Sequence, residues 1–436
     1  MKRLIKTIFA IAFFFLFLGN TDMEVLADEF YYPNDKDGKL IVVIDPGHGG
    51  ENLGADHNGF VEKEMNMIVA NAMYEELNKY EGITVYLTHT SADTDMSLQE
   101  RADFAASVKA DFLFCLHFNM SPDNILYGSE VWISAFGEAN RQGYRFANVQ
   151  LEEMREMGLF IRGIKTKFNS VGRDYYGILR FCEKQGIPAA LIEHCHVDHD
   201  KDVSFCDSEE ELKAFGIADA TAVAKFFRLK SMELGTDFSA YTDSVDVFSE
   251  SIYCLQDTTD PTISEIVEEF IDYDNNTIGV TLYGQDAETP MMYYSYSIDG
   301  GETYSEYLPW PQADMLSGQS PYSFTFEVQI PAGVSPKIVV KAINQYDRYT
   351  LSNILEDYPV FEEKVSDIEG TISGNDESQN VIAGNVTAHT FDYEKMKPLL
   401  TFLFIIALLF LLTLFITNML FKRAARHRRR SRRRRR

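Results

Sequence analysis

Residues 41 to 50 read Ile-Val-Val-Ile-Asp-Pro-Gly-His-Gly-Gly, an apolar run that stops abruptly at an acid, a proline and a histidine wrapped in glycine. Four consecutive β-branched residues, Ile41 to Ile44, suit an interior strand of a sheet covered on both faces. The Pro46-Gly47-His48-Gly49-Gly50 that follows forces a loop at the strand's carboxyl end. Open α/β sheets bind ligands at that edge. Glycines on both sides of His48 remove side chains that would crowd its ring, leaving the imidazole free to meet a metal or a substrate. On this stretch alone, a histidine that merely caps a glycine turn is an equal alternative.

The next segments repeat the alternation of strand and helix. Met65, Ile68, Val69, Ala72, Met73 and Leu77 fall at three- and four-residue spacing, which predicts a helix from Glu62 packed on the sheet. Glu62 and Glu64 occupy its first turn, where the helix dipole stabilises an acid; the functional alternative turns one of them towards His48. Ile83 to Thr88 is a second strand and Leu98 to Val108 a helix. Asp111 to Asn119 is a third, buried strand ending in His117, which is costly there unless its nitrogens find partners. Gly128 to Ser134 is another strand, and Glu138 to Met157 a long amphipathic helix able to cover a site. Tyr176 to Arg180 is a short strand, and Pro188 to Glu193 a strand ending in an acid. Ser208, with Glu209 to Glu211, caps a helix reaching about Arg228.

His48, a glutamate and His117 on neighbouring strand ends would form a His, Glu, His set with an open fourth position, as catalytic zinc requires. Spacing alone leaves this open. His194, Cys195, His196 and His199 are also ligand types, but adjacent residues of an extended segment point to opposite faces. Only a subset could share an ion, and surface loop residues are the plainer expectation.

The chain has 436 residues and a formal net charge of -26. Three basic residues fall in the first 20 and eleven between Lys422 and Arg436. That leaves 26 for residues 21 to 397 against all 66 acids, a formal -40. Such a body repels a phosphate backbone, which excludes nucleic-acid binding. The basic start, the apolar stretch Ile8 to Leu18 and Val25-Leu26-Ala27 predict a signal peptide over residues 1–27. Leu399 to Phe421 is uncharged throughout, long enough to cross a hydrocarbon core of roughly 30 Å as a transmembrane helix. The basic tail 422–436 then belongs in the cytoplasm and the acidic body outside, anchored to the cell membrane. Five scattered cysteines, Cys115, Cys182, Cys195, Cys206 and Cys254, do not make a disulfide framework.

Beyond a polar linker at 230–260, residues 261–355 turn β-rich, and Ile298-Asp299-Gly300-Gly301 is a hairpin signal. Strands at this spacing suggest a small sandwich. It resembles the immunoglobulin-like or fibronectin type III modules of exported bacterial proteins. Tyr293, Tyr294, Tyr296, Tyr304, Tyr307 and Trp310 would form either a glycan-binding face or, the commoner case, sandwich core and cross-strand pairs. Residues 356–397 read as an acidic stalk.

Several ordered stretches between residues 39 and 229 carry one resemblance. They are Ile44 to Gly50, Gly59-Phe60-Val61-Glu62-Lys63-Glu64-Met65-Asn66, Ala110-Asp111 to His117-Phe118-Asn119, Gly128-Ser129-Glu130-Val131, Arg162-Gly163-Ile164-Lys165, and Leu191-Ile192-Glu193. Together they resemble the zinc-dependent N-acetylmuramoyl-L-alanine amidases of bacterial cell walls, the amidase type 3 family. The resemblance implies a mixed β-sheet flanked by helices, zinc (Zn2+) held by His48, Glu62 and His117, and Glu193 as catalytic carboxylate. It further implies peptidoglycan as substrate, cut at the amide joining N-acetylmuramic acid to L-alanine. His89 stands where the family usually has arginine, Phe118 and Met120 stand where small residues are usual, and His194, Cys195 and Asp198 replace the usual residues after the catalytic acid. These changes keep two alternatives open: a catalytically weak cell-wall-binding or scaffolding protein, and a zinc peptidase.

Overall fold

Side chains of consecutive residues in a strand leave opposite faces, and in the central sheet both faces are apolar. Val42 and Ile44 sit with Phe112, Phe114, Leu116 and Ile192 on one side, whereas Val43, Leu113, Cys115, Ala189 and Leu191 share the other. From Val42 to Ile44 the run therefore has no solvent-facing position to fill with a polar residue. The structure, a computed structural model, describes residues 38–242 and 254–362. The expected signal peptide, transmembrane helix and basic tail, and nearly all of the acidic stalk, lie outside the described residues. Among the described residues no helix is long and apolar enough to cross a membrane.

The chain opens with β1 (Leu40–Pro46), a short hairpin of β2 (Asp56–His57) and β3 (Phe60–Val61), and α1 (Glu62–Leu77). There follow β4 (Ile83–Leu87), α2 (Leu98–Ser107), β5 (Phe112–Asn119), β6 (Ser129–Ile133), α3 (Gly137–Glu156) and β7 (Ile161–Lys165). Then come α4 (Gly177–Lys184), β8 (Ala189–His196), α5 (Asp200–Val203) and α6 (Glu209–Phe226). Six of these strands form a sheet in the order β4-β1-β5-β8-β6-β7. Neighbours run parallel except β6 and β8, which are antiparallel. The expected mixed sheet between helices is therefore present. Helices α1, α3 and α6 cover one face and α2 and α4 the other.

Two local expectations change. Tyr176 to Arg180 is not a strand: Gly177–Lys184 is helical, because Ile178, Leu179 and Cys182 bury one stripe against Leu191, Ala102 and Ala105. Helix α3 does not cover the site; Phe146, Val149, Leu151 and Met154 pack it into the opposite face of the sheet. The serine cap expected for α6 is present, and α2 also begins at a capping serine. Ser97 forms a capping box with Glu100, and Ser208 accepts from the Glu211 backbone.

After the short strands β9 (Lys230–Ser231) and β10 (Thr236–Asp237), the second half forms two facing sheets. One contains β11 (Ile263–Asp272) and β12 (Thr277–Gln285), and the other contains β13 (Met291–Ser297) and β14 (Leu308–Pro309). The first is completed by β15 (Ser323–Gln329) and the second by β16 (Val339–Asn344) and β17 (Tyr349–Leu351). Ile266, Val280 and Leu282 of one sheet meet Tyr294, Val340 and Ala342 of the other, the core of a sandwich. Phe361 is buried in that core, so the module continues past the expected boundary at residue 355.

Half of the aromatic set is interior: Tyr293, Tyr294 and Trp310 are buried, and Tyr296, Tyr304 and Tyr307 are half-buried. Trp310 is buried and donates its indole N–H to the Pro321 carbonyl, and Tyr293 is fully buried, which settles those two as packing residues rather than glycan contacts. Tyr293, Met292, Met315 and Ile343 also join the hydrophobic core under the central sheet. The sandwich is thus seated on the α/β module and is no loose spacer.

Candidate active site

The hairpin β2–β3 turns through Asn58 and Gly59, both at positive φ (49° and 92°), the combination a two-residue type I′ turn needs. Its second strand runs straight into α1, so Glu62 is the first helical residue. No side chain caps this helix; the Glu62 and Lys63 amides donate instead to the carbonyls of Ala55 and Leu53. The Glu62 carboxylate is bound back to the same loop. Ala55 N donates to Oε2 at 2.7 Å and Phe118 N donates to Oε1 at 3.1 Å.

Held this way, Glu62 lies between two imidazoles. Its Oε2 is 3.1 Å from His48 Nε2 and its Oε1 2.8 Å from His117 Nδ1. The two rings meet edge to face with centroids 4.8 Å apart. Glu64 points away, half exposed, with its carboxylate 3.7 Å from Lys63 Nζ. His48, Glu62 and His117 are thus brought together, as the sequence led one to expect, and Glu64 is not part of the set.

The approach is close because glycine permits it. A Cβ on Gly47 would sit 2.4 Å from His117 Cε1, and one on Gly54, at φ +71°, would sit 2.3 Å from Glu62 Oε2. His48 itself has φ 67°, a left-handed backbone that few side chains adopt without external support. Support comes from Arg101, whose Nη2 donates to the His48 carbonyl at 2.5 Å and whose Nη1 donates to the Pro46 carbonyl at 2.7 Å. Arg101 is anchored in turn by Asp45 at 3.0 Å, and Asp45 also accepts from Thr88 and Cys115. The acid that closes β1 is therefore a buried post for the His48 loop. Sequence reasoning passed over Arg101, because an arginine in an amphipathic helix gives no sign that it will be buried.

Glu193 stands on β8 directly beside His117 on β5, in register across the parallel ladder. It is buried, and its Oε2 has no hydrogen-bond partner among the described residues. Burial pushes its carboxyl well above the usual range, and the charges of Glu62 and Glu130 add to the shift. Glu62 goes the other way: burial opposes ionisation, but the bonds from His117 and His48 hold it well below that range. These groups open onto a cleft of about 650 Å³ whose walls include Asn52, Met96, Arg101, Asn119, Met120 and Tyr176.

The donor set fits a divalent zinc ion. Two imidazole nitrogens and a carboxylate oxygen lie within 4.8 Å of one another, and the neighbouring carboxylate carries an unpartnered oxygen. The segment after Glu193 gathers no second site of this kind, and it is not the expected surface loop: β8 runs on to His196, and His194, Cys195, His196 and His199 are all buried. His194 Nδ1 lies 2.9 Å from the His117 carbonyl and its Nε2 2.9 Å from Asp219 Oδ2, which ties β5 to α6. Cys195 is buried in the core beside Cys206, His196 lies 3.2 Å from the Gly128 carbonyl, and His199 accepts from the Lys201 amide. All five cysteines are free thiols.

Residues 42–225 match the family model described as N-acetylmuramoyl-L-alanine amidase. Among curated proteins, the amidase LytC of Bacillus subtilis is 29% identical over 190 residues, 44% of this chain and 36% of LytC. The amidase CwlM of Bacillus licheniformis is 31% identical over 43% of this chain and 69% of CwlM. Cwp6 from Clostridium difficile, a solved structure, is 29% identical with a TM-score of 0.40, covering 44% of this chain and 30% of that one. The chain thus spans about a third of LytC but more than two thirds of CwlM. On the family model and the CwlM match, this chain belongs to the N-acetylmuramoyl-L-alanine amidase family.

Proposed function

We propose that the protein is a zinc-dependent hydrolase of bacterial peptidoglycan, cutting the amide between N-acetylmuramic acid and the L-alanine of the stem peptide. The observation that carries this is the placement of Glu193: a buried carboxylate with an unpartnered oxygen, directly across the ladder from His117, one of the two histidines that clasp Glu62. His48, Glu62 and His117 would hold the ion. When bound there, zinc supplies Lewis acidity, polarising the scissile carbonyl and acidifying water.

The chain's own residues do the rest. Glu193 accepts a proton from the attacking water at its free oxygen and returns it to the departing amine nitrogen, so the poor leaving group departs neutral. Its raised proton affinity suits the second half of that exchange. Asn52 steers His48 by meeting Nδ1 at 3.0 Å, which leaves Nε2 for the ion. Ala55 N and Phe118 N hold the Glu62 carboxylate at a fixed angle.

The scaffold alternative drew on the altered segment His194 to His199. His194 serves there as a brace under His117, and nothing in that segment blocks the cleft. The apolar stretch 399–421 anchors the protein in the cell membrane with the catalytic module outside and the basic tail in the cytoplasm, close to newly made wall. The test is incubation of purified peptidoglycan with the protein, with zinc and after chelation, beside Glu193→Ala. Free peptides beginning with L-alanine, released by the zinc-loaded parent alone, support the assignment. A folded, zinc-loaded protein that binds peptidoglycan and releases nothing sinks it.

A further inference from the structure

Arg162 and Lys165 are almost wholly buried, each 1% exposed at the side chain, yet neither touches the metal centre. Both stand on β7, the edge strand beside β6, and both donate to Glu130 Oε2, at 2.8 and 2.7 Å. The carboxylate that balances the second cation comes from the sandwich. Asp347, in the turn between β16 and β17, accepts Arg162 Nη2 on both oxygens, at 3.0 and 2.7 Å, with Lys165 Nζ 3.8 Å away. Two cations and two carboxylates thus close a neutral set, buried except at Asp347, which is a third exposed, and the sandwich supplies half of its negative charge.

The seat is shaped for this docking. Gly163, at φ +92°, leaves no room for a side chain, since a Cβ would fall 2.2 Å from Gln345 Nε2. Gln345 donates to the Ile164 carbonyl at 3.1 Å, and the Tyr346 hydroxyl accepts from Thr166 N at 2.9 Å. Tyr293 donates to the Tyr127 carbonyl at 2.8 Å and accepts from Arg162 Nη1 at 3.1 Å.

The other oxygen of Glu130 is turned towards Asn119 and Trp132. Oε1 accepts from Asn119 Nδ2 at 3.2 Å and from Trp132 Nε1 at 3.0 Å. Asn119 lines the cleft two residues beyond His117. A continuous line of hydrogen bonds therefore runs from Asp347 through Arg162 and Glu130 to Asn119. We infer that Asp347 is a positioning residue of the hydrolase and the sandwich a working part of it. With Asp347 holding one edge of the guanidinium, Arg162 meets Glu130 through Nε alone. Without that charge the planar fork is free to take both Glu130 oxygens and pull Oε1 away from Asn119. This rests on the hydrolytic function proposed above.

The test uses the full chain, purified in detergent and loaded with zinc, in four forms: wild type, Asp347→Asn, Asp347→Glu and Gln345→Ala. The two tryptophans of the chain supply a readout that needs no activity. With 15N-labelled tryptophan, the Trp132 indole reports the Glu130 set, and Trp310, bonded within the sandwich, reports that module's integrity. Asp347→Asn is expected to lower kcat for stem-peptide release about tenfold or more with KM near the wild-type value. Its Trp132 resonance moves, its Trp310 resonance stays, and Asp347→Glu recovers most of the rate.

Gln345→Ala loosens the docking without touching a charge. If it reproduces both the loss and the Trp132 shift, docking alone explains them and the assignment of Asp347 is overturned. An unmoved Trp132 resonance or a wild-type kcat in Asp347→Asn overturns it equally. If the wild-type chain releases no stem peptide, the proposed function fails, and the Trp132 resonance decides the positioning question by itself.

Discussion

Glu130 and Glu193 are direct partners across the antiparallel ladder of β6 and β8, two buried carboxylates side by side in opposite electrostatic settings. Glu130 meets Arg162, Lys165, Asn119 and Trp132, whereas Glu193 Oε2 meets nothing among the described residues. Burial works against both charges. For Glu130 the cations Lys165 and Arg162 outweigh it and hold the carboxyl well below the usual range, while for Glu193 the neighbouring acids add to it. The pair is thus divided into a carboxyl that releases its proton readily and one that holds it more tightly, the division that acid–base chemistry requires.

Replacing Glu193 is expected to separate activity from stability. Glu193→Gln is expected to lower stem-peptide release by about 10²–10⁴-fold. Its thermal midpoint is expected to stay level or rise, because the variant loses a buried acid that lacks a partner. Kinetics and calorimetry on one preparation check both outcomes; a destabilised variant would mean that Glu193 is structural.

Replacing Glu130 does the reverse to stability. Glu130→Gln leaves Arg162 and Lys165 buried against fewer charges, a change that costs about 3–5 kcal/mol when a buried pair is broken. The folded-state proton affinity of Glu130 is depressed, so its contribution is present above the ordinary carboxylate value of 4.5 and lost as pH falls below it. Urea unfolding at neutral and acid pH should show the gap between wild type and variant closing on the acid side.

The metal-free clasp has its own pH signature. Burial lowers the proton affinity of His48, but the bond and charge of Glu62 outweigh this and raise it. Its contribution is therefore complete below 6.5 and lost as pH rises through the elevated folded value. After chelation, the midpoint difference between wild type and His48→Gln should shrink as pH is raised past that point. A difference that grows instead would contradict the clasp.

Gly54→Ala tests the closeness of the clasp without removing a ligand. The added methyl falls 2.3 Å from Glu62 Oε2 and 2.6 Å from His48 Cδ2 at a left-handed backbone. Zinc affinity, measured by competition with a chromophoric chelator, should fall about 10–100-fold. An unchanged affinity would show that the loop relaxes freely.

What could be read in the sequence followed from periodicity and punctuation. The apolar run of β1, the helical spacing of α1 and the serine start of α6 are local signals, and each element formed where they stand. Glu62, His48 and His117 were legible as a group only because ordered motifs resembled a family; their spacing says nothing about contact. The helix α4 was missed because Tyr175 and Tyr176 favour a strand in isolation, whereas burial of Leu179 and Cys182 against β8 decides the matter. The roles of Arg101 and Asp347 were illegible for a deeper reason. Each depends on a partner 56 or 185 residues away, which no local pattern encodes.

The strand β7 ends the central sheet, and its outward backbone groups are met by Gln345 and Tyr346 rather than by another strand. An uncovered strand edge is a template for association with other chains. Cutting the protein at the natural-looking boundary near residue 240 would therefore bare a sticky flank on which two cations share the single carboxylate of Glu130. A minimal fragment chosen from the family boundary alone would inherit self-association as an artefact of its own design.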